Sequence, residues 1–298
     1  MKLDGRREST NVEDRRSSAG KMAGIAGGAG LIGLIITLVM QFMGGGGSGI
    51  GGSVIEEALP EVLGSVLGGQ TETVGEATFS EEEQELASFS KKILASTEDV
   101  WTKVFKQMGK TYQPPTLVLY TGSTSTRCGQ GQAAMGPFYC SADQKLYIDL
   151  SFFSTMKQQL GADGDFAYAY VIAHEVGHHV EYLMGDLARE HNRMSQMSKK
   201  EANARSVRIE LQADFYAGVW AHHDNEQFGS LEKGDIEEAV RCASVIGDDY
   251  LQKKAQGYAV EESFTHGTAR QRVKWLSLGI QTGDISQGNT FALTDSQL

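Results

Sequence analysis

Cysteine and proline are scarce, with three Cys and four Pro in 298 residues. So few Cys exclude a small disulfide-stapled scaffold, and so little Pro excludes a collagen-like or Pro-rich chain. No C-x-x-C pair occurs, which argues against a zinc site built on cysteine. A basic excess is also missing. The formal net charge is -11, whereas phosphate binding wants a basic face, so no nucleic-acid partner is expected. Apolar residues reach 40% and charged residues 22%, the balance of a folded chain, and the length permits one large domain or two ordinary ones. Glycine alone is in excess: of 36, 16 fall between Gly20 and Gly69, which marks that stretch as special.

The chain opens with a polar, charged segment, residues 1–21, of net charge +2. Met22–Met43 follows, with no charge and only Thr37 and Gln41 polar. As a helix it would be about 33 Å long, matching a hydrocarbon core of about 30 Å. No periodic polar face is visible, as a core helix packed at the surface of a domain would have, and a cleaved signal would have a shorter apolar run. The reading adopted is therefore a single membrane anchor. The six early basic residues precede it, which predicts a cytoplasmic N-terminus and a large domain on the outer side. Gly20, Gly24 and Gly28 recur at helical spacing, a weak pointer to self-association. Residues 44–79 read as a Gly-rich linker, starting with GGGGSGIGGS, whose ten residues span about 17 Å as a flexible chain.

The soluble domain is expected over 80–280, with a polar tail over 281–298. Ser80 and Glu83 have the spacing of a capping box, so a helix should run on to about Lys106. Thr116–Tyr120 reads as a strand, and Phe138–Cys140 with Lys145–Leu150 as a hairpin. Helical periodicity then covers Asp165–Met184, Lys200–His222, Glu232–Ala255 and Thr265–Leu278. The predicted class is α+β, helix-rich with a small sheet. Cys128 and Cys140 could pair outside the cytoplasm, leaving Cys242 over, or all three could be buried thiols.

The chemistry is carried by His174-Glu175-Val176-Gly177-His178, an H-E-x-x-H sequence. Positions i and i+4 share one helix face, so both imidazoles can reach one zinc ion at roughly 2.0–2.1 Å. Glu175, one residue on, can take a proton from water at the metal's open position and pass it to a leaving amine. Chance occurrence in this composition is on the order of 0.01. An apolar helix would also bury these groups at a cost unless they had a partner. Zinc still needs a third protein ligand. Glu210 and Asp214, again i and i+4, are the best candidates. One would bind metal, and the other would accept a hydrogen bond from the far nitrogen of a ligating histidine. His179, Glu181 and His191 are rivals, while His222-His223 lies too far along. His266, beside a glycine at a helix start, is a candidate donor to the oxyanion of the tetrahedral intermediate, or else a capping residue.

FYCSADQKLYIDLSFF, AYVIAHEVGHHVE, ELQADFYAGVWA and SFTHGTARQRVKW, with the basic–apolar–glycine front, together resemble the neutral zinc metallopeptidase family of bacterial membrane-anchored proteins. They are also similar to Glu-type zincins such as the CAAX-prenyl-protease-like peptidases, which carry H-E-x-x-H, E-x-x-A-D and a T-H-P segment followed by an Arg. The resemblance implies a zincin-like peptidase with one Zn2+. It implies His174, His178 and Glu210 as ligands, Glu175 as base and Asp214 behind them. His266 becomes the oxyanion donor, Arg272 the later Arg, and Cys128–Cys140 a disulfide. Gly267 departs from the relatives' Pro, so the loop holding His266 should differ. The function expected is a zinc endopeptidase acting on protein or peptide. The alternatives are a zinc-stabilised binding or chaperone-like module and, behind it, a zinc hydrolase of non-peptide bonds.

Overall fold

The computed structural model describes residues 1–16 and 79–298. The expected anchor, Met22–Met43, and all but the last residue of the expected linker lie outside the described residues. Among those described, no helix is long and apolar enough to cross a membrane.

The fold is helix-rich α+β, as its periodicities predict. Helix α1, Glu81–Gln107, begins where Ser80 accepts the Glu83 N–H, and it buries Ile93, Leu94, Val100, Trp101, Val104 and Phe105. Three parallel strands and one antiparallel strand form the main sheet, in the order β1 (Val12–Asp14), β2 (Thr116–Tyr120), β6 (Lys145–Asp149), β5 (Phe138–Cys140). A separate hairpin, β3 (Ser123–Thr126) with β4 (Gly129–Gln132), precedes β5. A disulfide joins Cys128, in the turn of that hairpin, to Cys140 at the end of β5, and Cys242 is a buried free thiol. The short α2, Ser151–Thr155, leads to α3, Asp165–Met184. Then follow α4 (Asp186–Met194), α5 (Lys199–Phe228), α6 (Asp235–Val245), α7 (Asp248–Gln256) and α8 (Ala269–Thr282).

Helix α3 runs through the centre. Phe166, Ala167, Tyr170, Ile172, Val176 and Val180 are all essentially inaccessible, which is why its sequence shows little polar face. Gly185, at φ 81°, ends it with a left-handed cap that few other residues adopt cheaply. Helix α5 opens with a reciprocal Ser198–Glu201 capping box and α8 with Thr268–Gln271.

Four expectations need correction. The sequence sets residues 1–21 apart from the domain, yet residues 1–16 are part of it. Val12–Asp14 pairs in parallel with Leu117–Leu119, a pairing too short to leave a periodic signal. The tail over 281–298 is not loose: Gln212 donates to the Gly288 carbonyl and Arg208 to that of Thr290, fixing it along α5. The helix expected over Glu232–Ala255 breaks at Ile246–Gly247, because a Cβ on Gly247 would lie 2.2 Å from the Ala269 nitrogen, and the chain has to pass that point. Residues 265–268 form a loop rather than the first turn of α8, since Thr268 is the cap.

Candidate metal centre

Two helices supply the site, and a glycine inside the motif lets them approach. A Cβ on Gly177 would lie 2.7 Å from the Ala213 carbonyl oxygen, so α3 and α5 meet backbone to backbone at that crossing. One turn away on α5, Glu210 then faces the histidines. His174, His178 and Glu210 each offer a donor atom within 4.8 Å of the others. Glu210 Oε2 is 3.2 Å from His174 Nε2, and Oε1 is 3.6 Å from His178 Nε2.

The far nitrogens are both held. His174 Nδ1 donates to Asp214 Oδ1 at 2.8 Å, and His178 Nδ1 to Glu181 Oε2 at 2.8 Å. Each contact orients its ring so that Nε2 is turned toward Glu210. Asp214 is itself anchored. Arg272 grips it with two hydrogen bonds, 2.8 and 2.9 Å, and the Tyr170 hydroxyl donates to it at 2.5 Å. Burial pushes the Asp214 carboxyl up, but Arg272 and His174 outweigh burial and hold it at about 2. Burial would likewise lower His174, yet Asp214 and Glu210 raise it to about 10. Glu210 stays well below the usual carboxylate range despite burial, because His266, His178 and His174 surround it. Glu181 has no cation of comparable strength, and burial pushes its carboxyl well up.

Two imidazole nitrogens and one carboxylate oxygen, aimed at a common point and braced from behind, fit zinc with an open position. Two other groups of three donors occur among the described residues. In one, His222 and His223 are hydrogen-bonded to the carbonyls of Ile280 and Gly283, and in the other the Met1 ammonium lies against Asp165 and Asp235.

A cleft of about 350 Å³ opens over the centre, lined by His174, Glu175, His178, Glu210 and His266. Burial raises the Glu175 carboxyl above its ordinary value, partly offset by His174 and His178. His266 reaches the cleft from its loop. Asp248 Oδ2 accepts the N–H groups of Thr265, His266 and Gly267 at 2.7–3.0 Å, and Oδ1 lies 3.3 Å from His266 Nδ1. Gly267 stands at φ 94°, a conformation closed to proline, so this loop does take a path of its own.

The expected residues therefore converge: His174, Glu175, His178, Glu210 and His266 on one cleft, with Asp214 and Arg272 behind. The rivals do not. Glu181 braces His178 instead of joining the cluster. His179 turns away, donating from Nε2 to the Gln113 carbonyl at 2.7 Å and accepting at Nδ1 from the Tyr139 hydroxyl at 2.8 Å. His191 belongs to no donor group found among the described residues. Sequence reasoning missed Tyr170, Asp248 and the bracing part of Glu181. Tyr170 and Glu181 could have been found from helical spacing, four before His174 and three after His178. Asp248 carries no such signal.

The uncharacterized protein YpfJ of Escherichia coli (strain K12) is 49% identical over 298 residues, covering 98% of this chain and 99% of its own. The uncharacterized proteins Mb2605 of Mycobacterium bovis and Rv2575 of Mycobacterium tuberculosis (strain H37Rv) are each 40% identical over 202 residues, 64% of this chain and 67% of theirs. No solved structure matches. The family described as "Putative neutral zinc metallopeptidase" matches residues 1–291, nearly the whole length, and the chain belongs to that family.

Proposed function

We propose that the protein is a zinc-dependent endopeptidase in which His174, His178 and Glu210 hold one Zn2+, Glu175 is the general base and His266 the oxyanion donor. One observation carries this reading. Both histidines are braced at Nδ1 by buried carboxylates, so their Nε2 atoms aim at Glu210 while Glu175 remains uncommitted beside the open cleft. Zinc in that position would polarise a scissile carbonyl and lower the pKa of water toward about 7.

The rest falls to the chain's own groups. Glu175, its carboxyl raised by burial, takes a proton from the attacking water and returns it to the leaving amine. A base matched in pKa to its task is worth about 10²- to 10⁴-fold in rate. His266, held by Asp248, stands over the cleft to donate to the developing oxyanion. The site's own groups are backed by apolar walls, Phe138, Phe152, Met156, Leu160, Val171 and Leu251, which suit an apolar peptide side chain better than a charged substrate.

Strand β6, Lys145–Asp149, offers no free edge to an extended substrate. β6 is paired on both sides, by β2 and β5, so the edge that borders the cleft is β5, with Phe138 and Tyr139 in its lining. An extended peptide would add there. The disulfide favours an oxidising compartment, and the apolar run Met22–Met43 favours membrane attachment.

Glu175→Gln should retain zinc and lose at least about 10²-fold in cleavage of a casein-type substrate. An unchanged rate in the zinc-loaded variant would remove Glu175 as base. Zinc retained with no cleavage by the unmodified protein, with or without chelator, would favour the binding-module reading instead.

A further inference from the structure

We propose that residues 1–16 and the metallopeptidase domain lie on the same face of the membrane, so that the chain does not pass once from a cytoplasmic N-terminus to an outer domain. The inference stands on the sheet and its ion pairs and does not depend on the catalytic reading.

The N-terminal arm is built into the fold at three places. β1 pairs with β2 at Val12–Asp14, and the ladder continues on each side: the Leu117 N–H donates to the Asn11 carbonyl at 2.9 Å, and the Arg15 N–H to that of Leu119 at 2.7 Å. Two buried carboxylates of the domain take partners from the arm. Glu98, on α1, accepts from the Ser9 hydroxyl at 2.6 Å and the Asn11 side chain at 2.7 Å, with Arg7 at 2.9 Å. Asp224, on α5, pairs with Arg6 at 2.8 Å. A buried charge stripped of its partners is strongly destabilising, so the domain needs the arm in place.

The arm also ends where the domain begins. Arg16 donates to the Glu83 carbonyl at 3.2 Å, and its guanidinium lies 4.1 Å from the centre of the Phe79 ring. The apolar run Met22–Met43 falls between these two points in sequence. A single crossing would put Arg16 and Phe79 on opposite sides of a hydrocarbon layer of about 30 Å, where neither this contact nor the strand pairing can form. Between residues 16 and 79 the number of crossings is therefore even, zero included. Four of the six early basic residues pair with carboxylates, Arg6 and Arg7 with Asp224 and Asp99 of the domain, Arg15 and Arg16 with Glu13 and Asp14 of the arm.

The test uses the full chain in its own membrane. Cys242 is buried, and with Cys128 and Cys140 replaced by Ser one introduced thiol reports alone in either compartment. Thr10→Cys on the arm and Gln227→Cys on the domain, both at exposed positions, are treated with a membrane-impermeant maleimide before and after permeabilisation. The two should behave alike, both labelled in intact cells or both only after permeabilisation. Labelling of one in intact cells and of the other only after permeabilisation overturns the proposal. A second measurement tests docking directly. The Ser88 hydroxyl donates to Glu8 at 2.5 Å on the surface. Glu8→Cys with Ser88→Cys should therefore be joined by a short bis-maleimide in intact membranes. After cutting at a protease site placed in the glycine tract 44–53, the pieces should stay linked under denaturing conditions. Pieces that separate, although each thiol reacts singly, overturn the docking on which the proposal stands.

Discussion

The helical half and the sheet half of this protein hold their shape by different means. Around the metal centre, α3, α5 and α8 touch backbone to backbone. Gly177 meets Ala213, and a Cβ on Gly218 would lie 2.3 Å from the Leu276 carbonyl oxygen. In the sheet half, neighbours are fixed by strand pairing, as of β1 with β2, and by cross-linking, as of the hairpin turn to β5 through the disulfide. Close backbone contact fixes donor atoms to fractions of an ångström, as a metal site requires. Cross-links instead fix which segments are neighbours, which is enough for a cleft wall that must accept varied peptides.

The largest effect that separates the halves should come from Arg272→Met. It takes the guanidinium from the buried Asp214 and leaves only Tyr170 and His174 on it, so the metal-free protein should lose about 3–5 kcal/mol, read by denaturant unfolding. Retention of full stability would mean that Tyr170 and His174 suffice for Asp214. Replacing both Cys128 and Cys140 by Ser should cost less, about 2–3 kcal/mol for a loop of this length, and should leave zinc stoichiometry unchanged. Zinc lost on that change would erase the contrast, because the sheet half would then be shaping the centre. Gly177→Ala should cost about 1–3 kcal/mol by overpacking, but it should weaken zinc binding out of proportion, since it pushes Glu210 away from the histidines. Competition with a chromophoric chelator measures this.

The smallest effect is a pH slope. Burial lowers His179 from 6.5 to about 4 despite the hydrogen bond to Gln113. The folded state then binds fewer protons than the unfolded chain below pH 6.5. Its contribution is complete above that pH and is lost as pH falls toward 4, about 1 kcal/mol by pH 5.5. His179→Gln should flatten this slope in melting curves taken between pH 7 and 5.5.

The helices are legible in the sequence because each has a physical cause within a few residues. Gly185 ends α3, Ser198 with Glu201 starts α5, and the H-E-x-x-H spacing needs only the turn of a helix to bring two imidazoles together. Glu210 and Asp214 are legible for the same reason. What the sequence hides depends on partners far along the chain. Val12–Asp14 is too short to show alternation, and its role comes from the edge of β2 a hundred residues on. The break at Gly247 reflects the passage of Ala269, and Asp248 finds its task only because the loop over 265–267 folds onto it. Glu181 reads as a rival ligand because spacing alone does not tell a metal donor from the carboxylate that steadies it.

The bracing of His174 and His178 has a consequence for how the centre is assembled. Asp214, Arg272, Tyr170 and Glu181 hold the ligand atoms in place through contacts that involve no ion. The fold itself sets the two rings: neither can turn without breaking a buried hydrogen bond, so both Nε2 atoms stay directed at Glu210.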